Sequence, residues 1–346
     1  MKLWISAVAL IMLCASPVLA QNVLRVPEDY STIQAAVNAA ISGDTILVGP
    51  GTYCGAAFSK RLTILGEGRP TITPCGNLTT GFGLIGTTSS GTIIRHLNFS
   101  GLNTGILAAM GVNDVIIEHN TMQLTVPNAS GIFSIFGIGS FWTVSHNDIS
   151  IEAPNGMGIV TTSGNGWIVS HNNLTGTGLQ MGILLGRPVS TQTRALNNTV
   201  EFNFIEGAVN GLGIGLSGQE GAVVRHNKIF MPSSPDPTGV CGAWGIEVTD
   251  SGIYTKNSQQ YALTSNNSVI EKNDARGTAV GVIVLLDSLG GTGNSAGNVL
   301  RGNFGTLAIN EPKTDCGSGT IDEVVKNRAI STLINCSETG VCSDIP

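Results

Sequence analysis

The sequence predicts an all-β chain wound as a parallel solenoid, and two interleaved families of repeated segments together with a turn-rich composition carry that prediction. In the first family, IIEHNTM, WTVSHNDI, WIVSHNNL, TVEFNFI, AVVRHNKI, SVIEKNDA and NVLRGNF each set an apolar residue, two variable residues and then Asn. The resulting column is Asn120, Asn147, Asn172, Asn203, Asn227, Asn273 and Asn303, with Leu97 in the same place in IIRHLNF. Successive spacings are 23, 27, 25, 31, 24, 46 and 30 residues, and the 46 reads as two repeats with one degenerate copy between. In the second family, GILAAM, GIFSIF, GIVTTS, GILLGR, GIGLSG, GIEVTD and GVIVLL begin at Gly105, Gly131, Gly158, Gly182, Gly213, Gly245 and Gly281. Runs this short read as strands rather than helices, and two strand families sharing one period stack like on like. From Thr45 to Ile309 there is room for about ten coils. An Asn column suits such a stack, because Asn tolerates a left-handed bend between strands and its amide can bond the identical amide one coil away.

Composition agrees. The 346 residues include 46 Gly and 28 Asn, and only 12% are charged and 5% aromatic, which fits turns and short strands better than helical bundles. Hydrophobic residues make up 42%, enough for a large core. The net charge of −6 and the absence of a basic cluster longer than Lys60-Arg61 argue against a nucleic-acid partner.

Taken in chain order, residues 1–20 read as an export signal, with Lys2 before an apolar run and Val18-Leu19-Ala20 as small residues for cleavage. Leu13 is too bulky beside Cys14 for a lipid-attachment signal. Residues 21–44 form an N-terminal cap, in which Ile33, Ala36, Val37 and Ala40 lie at helical spacing with Ser31 or Thr32 as N-cap and Gly43 beyond the end. Residues 45–310 are the solenoid, and 311–346 a Cys-bearing C-terminal cap or tail that includes IDEVVKNRAI. No later stretch is long and apolar enough to span a bilayer, so a secreted or periplasmic protein is expected. Six cysteines remain beyond Cys14, consistent with an oxidising compartment, and Cys54 with Cys75 is the favoured pair because their separation is close to one coil.

The stretch VPEDYSTIQAAVNAAISGDTILVGPGTY, Val26 to Tyr53, resembles the opening of right-handed parallel β-helix proteins of the pectin lyase-like superfamily, and the Asn-bearing segments resemble its short β-helix repeats. The resemblance covers most of the chain to about Ile309. It implies a single-stranded right-handed parallel β-helix with an α-helical cap, and a role that ranges from polysaccharide lyase, hydrolase, esterase or epimerase to copper-site maturation protein or adhesin. Catalytic members carry ionisable groups on the outer face of one sheet. No cofactor is required, although a lyase of this kind uses calcium with Arg or Lys to neutralise a uronate. The aspartate clusters, Gly-His-Gly and Arg-x-Lys of pectin hydrolases are absent, as are the motifs of pectin esterases and of the commonest pectate lyases.

Three constellations remain. Aligning the Gly-led strands sets Arg187, Glu220, Asp250 and Asp287 at the ends of successive coils, with Glu247 pointing outward, a set that could act on a glycan or hold calcium. All five histidines, His96, His119, His146, His171 and His226, directly precede the Asn position, with Phe202 in the gap. His119, His146 and His171 could share a copper-like metal, and the alternative is a ring-stacking ladder. One position earlier, Arg95, Glu118, Glu201, Arg225, Glu271 and Arg301 suggest cross-strand ion pairs. The outward column Leu107, Phe133, Val160, Leu184, Gly215, Glu247 and Ile283 is apolar enough to expect a covering loop or an oligomer contact. Phe141, Trp142, Trp167 and Trp244 are candidates for stacking on sugars. The combined expectation is a secreted β-helix that binds, and in the catalytic case cleaves, an extracellular polysaccharide. The rivals are a non-catalytic surface or adhesion protein and periplasmic metal binding.

Overall fold

A computed structural model describes residues 21–186, 193–232, 243–249, 253–256, 259–276, 278, 280–285, 297–305, 307–310, 323–325, 333–336 and 342–344. The chain is a parallel β-solenoid with three sheets running its length. Sheet I has twelve strands, from Val23–Val26 to Glu323–Val325; sheet II has eight, from Thr52–Cys54 to Lys228–Phe230; sheet III has twelve, from Ala56–Phe58 to Cys342–Asp344. Each coil visits them in that order, giving about nine turns. Among the described residues no helix is long and apolar enough to cross a membrane.

Register is set by like stacking on like. In sheet I, Ile117 pairs with Ile94 and Val144, and Val144 with Val169; in sheet III, Ile106 pairs with Ile132, and Ile132 with Ile159. These aliphatics point inward and are fully buried, as are Met122, Ile149 and Leu174 of sheet II. Burying such a side chain is worth about 1.5–3 kcal/mol, so the bore is one continuous core.

The Asn column lies inside this core. Asn147 Nδ2 donates to Asn172 Oδ1 (3.0 Å) and to Ile117 O (2.9 Å), and Asn172 repeats both bonds with Asn203 Oδ1 (3.0 Å) and Val144 O (2.9 Å). Each Oδ1 also accepts a backbone N–H from the preceding coil, as in Asn120 N to Asn147 Oδ1 (3.1 Å). The ladder runs on through Asn227, Asn273 and Asn303. The expected left-handed bend is displaced by one residue: it falls on the residue before each Asn, with φ of 57° at His119 and 55° at His146 and His171. An Asn turned inward is occupied by the ladder, so the neighbour that faces water takes the turn.

The glycine family has a steric cause. A Cβ at Gly105 would stand 2.7 Å from Gly131 O and 2.7 Å from Met122 Sδ, and one at Gly131 would stand 2.6 Å from Gly158 O. Each glycine is thus required by the backbone of the next coil and by the side chain that sheet II sends across the bore.

The 46-residue spacing does not hide an extra turn. Val223 pairs directly with Val269 and Arg225 with Glu271, and Asn227 reaches Asn273. The surplus length includes an antiparallel hairpin, Ile253–Lys256 with Gln259–Ala262. At the N-terminal end, helix α1 (Ile33–Ala39) buries Ile33, Ala36 and Val37, with Thr32 Oγ1 accepting from Ala35 N (3.1 Å) as N-cap. Lys60 Nζ donates to Val37 O (3.1 Å) and Ala40 O (2.7 Å), setting a cation at the helix C-terminus where the dipole favours it. Cys54 and Cys75 form a disulfide across neighbouring coils, with Cα atoms 5.5 Å apart. Parallel pairing continues beyond Asn310, where Glu323–Val325 joins Val299–Arg301 and Leu333–Cys336 joins Leu307–Asn310.

Candidate functional site

Between sheets I and II every coil turns on one left-handed residue. In chain order from Arg69 these are Arg69, His96, His119, His146, His171, Phe202, His226, Lys272 and Gly302, with φ between 55° and 63°. An inward residue occupies the next position, so the left-handed side chain is turned toward solvent; His119, His146, His171 and His226 are exposed. Their rings stack: His119 on His146 at 4.9 Å, His146 on His171 at 4.9 Å, His171 on Phe202 at 5.0 Å and Phe202 on His226 at 4.9 Å, with His96 on His119 at 5.4 Å. Stacked rings present their edges, not their faces, to water, and their nitrogen lone pairs lie in near-parallel planes. Among the described residues no group of three or more His, Cys, Asp or Glu is arranged to hold a metal.

At two of the rings the surroundings discourage protonation. Partial burial holds His96 below the usual imidazole value, reinforced by His119, Arg95 and Arg69; partial burial followed by His119 and His171 does the same for His146. The charged column beside it is paired across strands: Arg95 with Glu118 (3.2 Å), Arg225 with Glu201 (2.7 Å) and Arg301 with Glu271 (2.7 Å). Between the first two pairs stand Ser145 and Ser170, so the middle of the ladder has no ion pair at its flank.

Sheet II extends the same surface. Its first outward column runs Thr52, Thr71, Asn98, Thr121, Asp148, Asn173, Phe204 and Lys228; its second runs Ser100, Gln123, Ser150, Thr175, Glu206 and Phe230. From Thr52 to Thr175 these columns carry hydroxyl, amide and carboxylate groups on a flat face, some already engaged, as in Asn173 Nδ2 to Asp148 Oδ1 (2.9 Å) and Arg69 Nη1 to Thr121 Oγ1 (3.3 Å).

Of the carboxylate strip expected from the glycine-led strands, Arg187, Asp250 and Asp287 lie outside the described residues. Glu220 does not continue a sheet III strand. It stands in a small two-stranded sheet opposite Leu196, three positions past Ser217, the last residue of its sheet III strand. There it meets Arg194, which sequence reasoning missed: Arg194 Nη1 lies 3.3 Å from Glu220 Oε2, Nε donates to Thr264 O (2.6 Å) and Nη2 to Thr264 Oγ1 (2.9 Å). Asn267 Nδ2 donates to the other carboxylate oxygen. Glu247 lies outward on sheet III, half-buried, between Gly215 and Ile283.

That outward column is in the expected register. Much of it covers itself: Val160 is 2% exposed, and Leu184 and Leu212 lean close enough to Gly215 to fill the place of a Cβ there. Two of the aromatics expected to meet sugars are inside instead. Trp142 and Trp167 are fully buried and stacked at 4.5 Å, with Nε1 of Trp142 bonded to Val112 O (2.8 Å) and that of Trp167 to Gly139 O (2.6 Å). They occupy the inward position directly after a second left-handed column, Gly91, Asp114, Phe141, Gly166 and Asn197, where Val115 and Ala222 are also buried.

No protein-family model and no curated sequence matches the chain. Among solved structures it is similar to an alginate lyase from Paenibacillus sp. strain FPU-7, at 15% identity over 93% of this chain and 99% of that one, with a TM-score of 0.53. It also aligns with the catalytic domain of a GH87 α-1,3-glucanase (12% identity, 92% and 69% covered, TM-score 0.45). A third alignment is with the A-module of the Azotobacter vinelandii mannuronan C-5 epimerase AlgE6 (16%, 91% and 94%, TM-score 0.36). The first likeness agrees with the fold, a parallel β-helix.

Proposed function

We propose that this chain binds a polysaccharide outside the cytoplasm, along the outer face of sheet II. The observation that carries this reading is the double column of hydroxyls and amides, with the one carboxylate of Asp148, from Thr71 and Asn98 to Asn173 and Thr175, repeated at strand spacing on consecutive coils. Sugar hydroxyls pair with such groups, and a sheet that repeats them can meet successive units of a polymer. The alginate lyase of like fold makes polysaccharides the first ligand class to test. The Cys54–Cys75 disulfide and the apolar leader of residues 1–20 support an exported protein. Affinity electrophoresis through gels containing alginate, pectin or an α-glucan tests the reading. Retardation by at least one polymer, relieved by Gln123→Ala with Asn173→Ala, is expected; unretarded migration in every gel overturns it.

A second reading, cleavage of the bound chain, draws on Arg194 and Glu220, a guanidinium suited to a uronate carboxylate beside a group able to move a proton. Arg187, Glu247, Asp250 and Asp287 are the further candidates from the sequence, and calcium is the cation such chemistry would recruit. New reducing ends or unsaturated products that disappear in Glu220→Gln support it; no turnover on the same polymers leaves binding as the function.

A further inference from the structure

Nine successive turns between sheets I and II hold a left-handed residue: Arg69, in a turn three residues longer than the next, then five histidines interrupted by Phe202, then Lys272 and Gly302. Apart from Phe202 and the terminal Gly302, every position is a cation or a group that becomes one when protonated, in a chain whose net charge is −6. The left-handed turn alone accounts for histidine, which is enriched there with Asn and Asp, but not for Arg69 and Lys272, and it does not require the rings to stack. The rings hold one another at 4.9–5.4 Å with their edges to solvent, a spacing of the order of one sugar unit in an extended chain.

We propose that the column from Arg69 to Lys272 is a proton-gated strip for a linear anionic polysaccharide lying along the solenoid axis. The proposal rests on the polysaccharide reading above and adds the charge class of the polymer and its control by pH. The groups facing the strip favour that charge. On the sheet I side Glu118, Glu201 and Glu271 are already paired with Arg95, Arg225 and Arg301. On the sheet II side stand Asp148, Glu206 and Lys228, with Asp274 paired to Arg276, and Glu67 precedes Arg69. The fixed cations Arg69 and Lys272 stand at either end of the ring stack, and within it burial and neighbouring charge hold His96 and His146 toward the neutral form. As pH falls the histidines charge against one another, and carboxylates of a bound polymer relieve that repulsion. Protonation and binding then strengthen each other by linkage.

Binding of polygalacturonate, with dextran as the uncharged control, at about pH 5 and about pH 8 brackets histidine titration. The wild-type protein is expected to bind polygalacturonate at least about tenfold more tightly at the lower pH, with a steeper salt dependence there. The triple variant His119→Asn, His146→Asn, His171→Asn should lose most of this difference while keeping its melting temperature at the higher pH, because Asn accepts the left-handed backbone. Phe202→His completes the stack and should tighten binding at the lower pH alone. An affinity for polygalacturonate that ignores pH, or a triple variant that responds as the wild type does, overturns the strip. If dextran alone is bound, the strip falls and the polysaccharide reading stands; if neither polymer binds and the gels are also silent, both fall.

Discussion

Two columns run side by side through this molecule, one residue apart in sequence and on opposite sides of the wall. The inner one is Asn at every coil from Asn120 to Asn303, whereas the outer one passes from Arg through His, Phe and Lys to Gly302. The difference lies in what each position demands. Inside, a side chain must supply two donors and a doubly accepting oxygen in one fixed geometry, and only Asn does so at that length. Outside, the demand is a positive φ, which several residue types meet at modest strain. A repeat therefore conserves what its core requires and leaves its rim free to take up chemistry.

The sharpest way to break this contrast is at Asn172. Asn172→Ala leaves the Asn147 backbone N–H without its acceptor in the bore and removes the amide bonds to Asn147, Val144 O and Asn203. At about 1–3 kcal/mol for each unsatisfied buried group, urea denaturation should show a loss of roughly 3 kcal/mol or more. At the outer column the side chain matters less than the backbone. His146→Val should cost about 1–2 kcal/mol through its β-branched, left-handed strain, whereas His146→Asn should leave the urea midpoint nearly unchanged. Equal losses in the two variants would contradict that view.

A smaller effect follows pH. The folded protein holds His96 and His146 below the ordinary imidazole value of 6.5, so below that value the unfolded chain takes up protons that the folded one resists. Stability should be level above about pH 6.5 and decline as pH falls from there toward the folded-state values. The decline should be shallower in His146→Asn, measured as the urea midpoint across the range. Smallest of all, Arg225→Met, which removes a half-exposed partner of Glu201, should cost no more than about 1 kcal/mol and lose even that at high salt.

The sequence revealed most where position repeats. The Asn amide ladder, the sheet III register and the Cys54–Cys75 pair follow from counting, because in a solenoid equal positions are neighbours in space. Counting failed where a loop imitates a coil: residues 227 to 273 are as long as two repeats yet advance only one, with the Ile253–Ala262 hairpin taking up part of the length. It also failed on direction. Trp142 and Trp167 looked available to sugars, but Val115 and Ala222 at the equivalent position mark it as inward. Arg194 was invisible because it belongs to no repeat; its contact with Glu220 depends on how an irregular segment lies between coils. The ring ladder was legible as a column, while the inclusion of Arg69 and Lys272 required backbone angles.

The glycine line of sheet III also bears on how such a chain can change. Since a methyl group at Gly105 or Gly131 collides with the turn above, a single substitution there disturbs two storeys at once. Copying a whole storey brings its own glycine and its own asparagine, and it meets neighbours identical to those it left. Growth by duplication is thus the permissive route for this architecture and piecemeal revision the obstructed one, so relatives should differ in height more readily than in cross-section.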